Sequence, residues 1–232
     1  MDCAFIDSIR SQIPDITEIQ AYRFERYFEL LIQWNEKVNL TTITEQEEVI
    51  QKHFLDSLLP QDLIPKNAKV VDVGTGAGFP AVPLMIMRSD ISVTMVDSLN
   101  KRTVFLSELM NALQLENSYE IIHARAEDIG QNPRYREKFD IALTRAVANT
   151  STLLEWTIPL LKVGGSSLMY KASSANDELF AAKNALEKLK SSATIYSYEV
   201  EWGERAVISA KKLQPTQKQF PRKSGTAKKS PL

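Results

Sequence analysis

The stretch Lys69-Val70-Val71-Asp72-Val73-Gly74-Thr75-Gly76-Ala77-Gly78-Phe79-Pro80 constrains the fold more than any other part of the chain. A β-branched run of strand length ends in three glycines at alternate positions, and an apolar segment of helical character follows at once. A strand, a tight glycine turn and a helix start let a backbone approach a nucleotide-like ligand closely. The spacing discriminates between ligands. A dinucleotide fingerprint G-x-G-x-x-G beginning at Gly74 needs its third glycine where Phe79 stands, whereas Gly78 makes the pattern G-x-G-x-G. Asp72 sits two residues before the first glycine. A carboxylate facing the ligand there repels a pyrophosphate and attracts the ammonium and sulfonium of S-adenosylmethionine (SAM). The effect is large, because unit charges about 4 Å apart interact by about 4 kcal/mol at an effective dielectric of about 20. The alternative is that Asp72 only caps the turn.

The chain has 232 residues, enough for one α/β domain with an elaboration. Its single cysteine, Cys3, excludes an internal disulfide framework, a Cys-rich zinc site and a Cys-ligated iron–sulfur cluster, and with the last any radical SAM chemistry. The early residues hold neither a basic segment followed by an apolar one nor a run of about 18 apolar residues, so a cytoplasmic protein without membrane contact is expected. The net charge of −1 conceals an asymmetry: from Lys211 to the end lie seven cations and no acid, leaving −8 on the rest. An acidic body with a basic tail points to a polyanionic partner met at one place.

Residues 1–65 read as a helical extension. Phe24, Tyr27, Phe28, Leu31, Ile32 and Val38 fall at helical spacing, and Thr44-x-x-Glu47 resembles a capping box for a second helix carrying His53, Phe54 and Leu58. Residues 66–211 alternate strands with helices. Strands are expected at 69–73, 92–97, from Ile121 to about Ala126-Glu127-Asp128, at 139–145 and at 166–171, with a helix over 176–190 and a terminal hairpin turning at Gly203-Glu204. Ser98 or Asn100 is a candidate cap for the helix after the second strand, and Thr152-x-x-Glu155 for the one after the fourth. The pattern is that of a mostly parallel, doubly wound α/β sheet with one antiparallel strand. Residues 212–232 form a basic C-terminal tail, and the part from Gln214 to Leu232, with three prolines and no apolar period, is expected to be mobile when unbound.

Ligands of such sheets sit beyond the carboxyl ends of the strands. Asp97 closes the second strand, where a carboxylate can accept both ribose hydroxyl protons. Glu127 and Asp128 border an adenine position, and Arg145 lies beside the methyl group. The bland reading makes each a helix cap or a surface charge; their joint placement favours a pocket. The residues after the fourth strand narrow the reaction. Thr144-Arg145-Ala146-Val147 is not the Asn/Asp-Pro-Pro-aromatic loop of exocyclic-amine methylation, and Cys3 is far from any strand end, which argues against pyrimidine C5 chemistry. A ring nitrogen with a free lone pair needs only positioning and an environment that tolerates a cationic product. His53 shares a helix face with Asp56 and Ser57, in a packing or a substrate-pocket role rather than a metal site or a hydrolase triad. In the tail, Phe220 is a candidate to stack on a base, with Arg222 and Lys223 on phosphates; a solvated basic tail is the alternative.

With His53-Phe54-Leu55-Asp56-Ser57-Leu58, the glycine loop followed by Phe79-Pro80, Asp97-Ser98-Leu99-Asn100-Lys101-Arg102, Arg125-Ala126-Glu127, Thr144-Arg145-Ala146-Val147-Ala148 and Phe220-Pro221-Arg222-Lys223 in order, nearly the whole chain resembles the RsmG/GidB family of bacterial 16S ribosomal RNA guanine-N7 methyltransferases. The resemblance implies a class I, Rossmann-like methyltransferase fold and SAM as cofactor. It implies SAM contacts at Gly74, Phe79, Ala126, Glu127 and Arg145, with Asp97 on the ribose. Asp72, Gly76, Gly78 and Ser98 complete the expected cofactor set. The target it implies is N7 of guanine 527 in 16S RNA, free or in the small ribosomal subunit, with no metal. His53, Lys171, Arg222 and Lys223 are the expected RNA contacts, and Arg145 or Lys171 a donor to guanine O6. Ala81 and Ala172 stand where the family commonly has glycine. Two rival classes stay open on sequence grounds: an NAD(P)-dependent oxidoreductase, and a ribosome-assembly factor that binds RNA without catalysis.

Overall fold

A computed structural model describes residues 3–232; Met1 and Asp2 lie outside the described residues. The chain opens with α1 (Cys3–Gln12) and α2 (Glu18–Asn35). One helical stretch follows, made of α3 (Gln46–Val49), a π-helical segment (Ile50–Leu55) and α4 (Asp56–Leu58). The alternating part runs β1 (Lys69–Val73), α5 (Ala81–Met87), β2 (Ser92–Asp97), α6 (Asn100–Leu113), β3 (Tyr119–His123), α7 (Ala126–Gln131), β4 (Phe139–Arg145), α8 (Thr150–Thr157) and β5 (Leu161–Lys171). After α9 (Ala175–Ala181) and α10 (Lys183–Lys188), the hairpin β6 (Ser191–Val200) and β7 (Gly203–Lys212) leads to the short α11 (Thr226–Lys229).

The sheet order is β3-β2-β1-β4-β5-β7-β6. β1 to β5 are mutually parallel, and β7 enters antiparallel between β5 and β6. The chain winds outward from β1 through β2 to β3, then returns to place β4 on the other side of β1. That reversal opens a crevice beyond the carboxyl ends of β1 and β4, where ligands of such sheets bind. The fold is the expected class I methyltransferase arrangement, with its antiparallel terminal hairpin.

Side chains alternate across the strands, so each sheet face has its own core. Val70, Met95, Ile141 and Leu143 face α2, α5 and α6, where they join Phe24, Tyr27, Phe54, Leu84 and Leu106. Val71, Val73, Val96 and Ala142 face α7, α8 and α10 with Leu153, Leu154 and Ala185. The N-terminal helices thus bury their apolar stripe on the first face, and α2 starts with a reciprocal capping box between Thr17 and Gln20.

Several local expectations fail for identifiable reasons. The third strand stops at His123, and Ala126-Glu127 open a helix instead of closing the strand. No side chain caps α3, whose N-cap is Glu45, or α6, whose N-cap is Leu99. Asp97 takes over at α6, because its Oδ1 accepts from the Leu99 amide at 2.9 Å. Asn149 caps α8, ahead of the Thr152 pattern. The helix expected over 176–190 breaks in two at Ala182.

The largest departure is the tail, which is docked against α7 and α8. Phe220 and Ala227 enter the second core, so Phe220 has no face left for a base. Arg136 donates to the carbonyls of Thr216, Gln217 and Phe220, and Gln131 to those of Lys218 and Pro221. Arg222 grips the fully buried Glu155 carboxylate through its Nε, its Nη2 and its backbone amide. Composition hid this, because the anchoring groups belong to α7, α8 and the loop before β4.

Removing one partner of a buried pair typically costs about 3–5 kcal/mol. The Arg222 side chain is 27% exposed, so Arg222→Ala is expected near the low end of that range. Urea unfolding measures it; a loss below about 1 kcal/mol, the level of a surface pair, would show that the tail is not anchored there.

Candidate functional site

The glycine loop is shaped by its backbone. Gly74, Gly76 and Gly78 have φ of 74°, 60° and 94°, in the left-handed region that side chains disfavour. The Gly74 and Thr75 amides both donate to the Val96 carbonyl, at 2.8 and 3.2 Å, tying the loop to the end of β2. A Cβ on Gly74 would lie 2.8 Å from Val147, and one on Gly78 would lie 2.8 Å from the Tyr27 hydroxyl. At Gly76 the nearest atom is 4.0 Å away, so its backbone is open to the crevice.

Two lobes make up the crevice. One, about 190 Å³, is lined by Asp97, Ser98, Ala126, Glu127 and Trp156, with Gly225 and Lys228 of the tail closing one side. The other, about 350 Å³, is lined by Thr41, His53, Gly76, Phe79, Arg102 and Arg145. Gly74, Asp97, Ser98 and Val147 border both, which makes them one continuous site. Asp97 stands at the junction, nearly buried. Its Oδ2 accepts from the Gly76 amide at 2.9 Å and pairs with Arg102 at 3.3 Å. Glu127 spends Oε1 on the Gly225 amide at 2.8 Å. This set fits SAM: two carboxylates and the Val96, Val147 and Trp156 walls suit an adenosine, and the open glycine backbone borders the wider lobe.

Phe79 centres the wider lobe. The Tyr27 ring stacks on it at 5.1 Å and the His53 ring at 4.5 Å, and the Arg145 guanidinium lies 4.9 Å from its centroid. Tyr27 donates its hydroxyl proton to the Ala77 carbonyl at 2.5 Å, so α2 holds the glycine loop directly. Arg145 donates to the carbonyls of Lys52 and His53 and to His53 Nδ1 at 3.0 Å. An arginine is always a donor, so His53 Nδ1 is an acceptor there and its Nε2–H donates to Thr41 Oγ1 at 2.8 Å. Burial, and then the adjacent Arg145 charge, push His53 down to about 3, so it is neutral at physiological pH.

The structure brings Gly74, Gly76, Phe79, Asp97, Ser98, Ala126, Glu127, Arg145 and His53 to this crevice. Asp72 is placed differently. Strand alternation turns it to the α2 and α5 face beneath the loop, where its Oδ2 accepts from the Ala81 amide at 3.4 Å. It lines neither lobe, and burial lifts its carboxyl to about 7 against the opposing pull of Thr75, Ala81 and Arg145. Gly78 likewise serves packing rather than the crevice wall. Lys171 is spent on Glu178 and the Ala148 carbonyl, and Arg222 on Glu155, so neither offers a free cation; Lys223 is exposed. Ser57 donates to the His53 carbonyl, which removes the triad geometry. Sequence reading missed Tyr27, Thr41, Gly225 and Lys228, and only Tyr27 carried a signal, as an aromatic on an apolar stripe with a polar tip. Among the described residues no group of three His, Cys, Asp or Glu side chains is placed to hold a metal ion, and no helix is long and apolar enough to cross a membrane.

Comparison with known proteins follows the same outline. Among solved structures the chain is similar to an O-methyltransferase from Bacillus cereus in complex with SAH (TM-score 0.60, 18% identity, 89% of this chain and 96% of that one). It is also similar to cofactor-bound Rv0187 from MTB (TM-score 0.58, 15% identity, 90% and 94%). At these identities the likeness is one of fold. Sequence relatives are much nearer: ribosomal RNA small subunit methyltransferase G of an Exiguobacterium species is 46% identical over 98% of both chains. That of Streptococcus agalactiae is 45% identical over 94% of this chain and 93% of its own. The profile of the GidB family, described as rRNA small subunit methyltransferase G, matches residues 20–221. With a shared fold, a crevice that fits the cofactor and relatives matched from end to end, the chain belongs to the GidB family of ribosomal RNA small subunit methyltransferases.

Proposed function

We propose that this protein methylates N7 of guanine 527 in 16S ribosomal RNA, on free RNA or on the small subunit, in the cytoplasm. The observation that carries the choice of a ring nitrogen is the state of His53. It is the imidazole beside the wider lobe, and both its nitrogens are engaged, one accepting from Arg145 and the other donating to Thr41. With its pKa near 3 it is a poor proton acceptor at neutral pH. Guanine N7 needs no base, because its lone pair is free. When bound, SAM supplies an electrophilic methyl carbon: the N7 lone pair forms the new C–N bond, the S–C bonding pair stays on sulfur, and the base becomes cationic.

The protein's part is placement. Gly74, Gly76 and Phe79 shape the donor's position, Asp97 suits the ribose hydroxyls, and Glu127 borders the adenine. Arg145 has N–H groups left over for guanine O6, but a bidentate grip on O6 and N7 would occupy the attacking lone pair, so it engages O6 alone. Lys218, Lys223, Lys228 and Lys229, all exposed, are tail cations free to follow phosphates.

Mass spectrometry of 16S RNA from cells with and without the gene should differ by one 7-methylguanosine at position 527; unchanged RNA would leave a binding role in ribosome assembly without catalysis. Arg145→Ala is expected to lower turnover by about 100-fold, the order seen when one preorganised donor is removed, and near-normal methylation would refute its role.

Replacing Lys223, Lys228 and Lys229 by Gln should flatten the salt dependence of RNA affinity. The log–log slope should change by about 0.7 per neutralised phosphate on single strands, about 2 in all. An unchanged slope would move the phosphate contacts elsewhere.

The raised pKa of Asp72 gives a pH test. Below about 7 this carboxyl is protonated, and above it carries the charge that attracts a cationic ligand. SAM affinity of the wild type relative to Asp72→Asn should therefore rise as pH goes from 6 to 8, about one unit either side of that value. Titration calorimetry reads the ratio; a constant ratio would mean that Asp72 does not sense the ligand.

A further inference from the structure

A third cavity, about 290 Å³, opens on the other side of the Arg145–Ala146 segment. Its walls include Leu59, Ala146, Tyr170 and Val207, and Asp56 and Arg205 stand among the lining groups. Arg145 and Ala146 border both this cavity and the wider lobe of the crevice, so the two adjoin at these residues. Ala146 is held there at a φ of 56°, an unfavourable conformation for a residue with a Cβ.

Asp56 is held in place rather than consumed. Its Oδ1 accepts from Trp202 Nε1 at 2.6 Å and from Arg205 Nε at 3.1 Å, and its Oδ2 accepts only the shared Arg205 Nε–H at 3.0 Å. A carboxylate oxygen has two lone pairs, so Oδ2 keeps capacity for a further donor. Its donors come from the β6–β7 hairpin, while Asp56 itself comes from α4. Two distant parts of the chain therefore converge to aim one acceptor at an apolar slot.

We propose that this cavity is the slot for the acceptor base, with Asp56 a specificity-determining residue that receives the Watson–Crick edge of the flipped-out guanine. The inference rests on the guanine-N7 reading above and adds the residues that choose the base. Guanine presents two adjacent donors, N1–H and the N2 amine, on that edge, and N7 lies on the opposite, five-membered ring. A base with its donor edge on Asp56 turns its N7 edge toward the donor crevice across Arg145 and Ala146. Adenine presents an N1 lone pair to the same carboxylate and is repelled. Extrusion of the base from its stack is the general solution for chemistry on a base, and Leu59, Ala146 and the Tyr170 ring supply the apolar surroundings it needs.

The test compares 16S RNA assembled from segments with either guanosine or inosine at the target; both keep N7, O6 and N1–H, but the second lacks the N2 amine. Wild type is expected to prefer guanosine by about 10–100-fold, the value of a hydrogen bond to a charged group. Asp56→Asn places an amide donor at Oδ2, because Trp202 and Arg205 keep the oxygen at Oδ1. It should lower the guanosine kcat/KM by about 10–100-fold and erase or invert the preference, with SAM affinity unchanged by calorimetry. A purely structural role for Asp56 would not move the preference. Ala172→Phe, at the exposed mouth of the same cavity, should slow both RNAs alike without altering SAM affinity, and it decides the matter if the Asp56 variant folds poorly. Normal guanosine methylation with a filled mouth, or an unchanged preference in Asp56→Asn, overturns the slot. A wild type that methylates neither RNA overturns the activity reading and the slot with it.

Discussion

The Arg145 cation depends on neutral partners, and much of the site's architecture follows from that. Among the described residues no carboxylate pairs with it, and burial lowers its pKa from the ordinary arginine value. A charge withdrawn from water without a counter-ion must be solvated by dipoles. The Lys52 and His53 carbonyls, His53 Nδ1 and the Phe79 ring provide that solvation, and they come from one helical stretch and one loop. Lys52 and His53 both lie in the π-helical segment. The N-terminal helices are therefore part of the crevice: they cover the Arg145 guanidinium while supplying the dipoles that replace its water, and Tyr27 holds the glycine loop.

The tail extends the same logic to the opposite lobe. Glu155 and Glu127 are buried carboxylates that need donors, and Arg222 and the Gly225 amide supply them. Lys212, fully buried, is likewise absorbed by Glu137 and the carbonyls of Ile158 and Leu161. The seven cations counted from Lys211 onward are thus divided. Some hold the segment to the body, and the exposed ones remain for a polyanion. The segment that carries these exposed cations is also a wall of the donor crevice, through Gly225 and Lys228.

The sheet was legible because its signals are local. Ser92–Asp97 and Phe139–Arg145 are bounded as expected, since β-branched runs between turn residues leave few alternatives. The crevice was legible where chemistry coincides with a strand end, as at Asp97 and Arg145. What escaped depends on partners far along the chain. Phe220 and Arg222 read as a solvated RNA-binding motif because Glu155 lies 67 residues before Arg222 in sequence, and nothing within the tail announces it or the core that Phe220 enters. Asp72 read as a ligand-facing charge because its position beside the glycines is visible in sequence, while the face to which it points is set by the register of β1. A π turn leaves no period in the sequence at all.

The charge pattern explains how one small crevice can serve two cations. On the proposed guanine-N7 reading, a sulfonium donor and a cationic product both need negative surroundings, yet the RNA that brings the base is strongly anionic. Asp72 and Asp97 lie near the donor lobe and Asp56 by the third cavity, and the Asp56 and Asp72 charges are both felt by Arg145. Around the crevice Arg102 pairs with Asp97 and Arg205 with Asp56, which leaves Arg145 as the guanidinium held by neutral partners. On the proposed reading the phosphates are met by exposed tail lysines, of which Lys228 also borders the donor lobe. The cations beside the crevice are therefore offset by adjacent carboxylates, Arg102 by Asp97 and Arg205 by Asp56, and this pairing limits their repulsion of a cationic methyl donor.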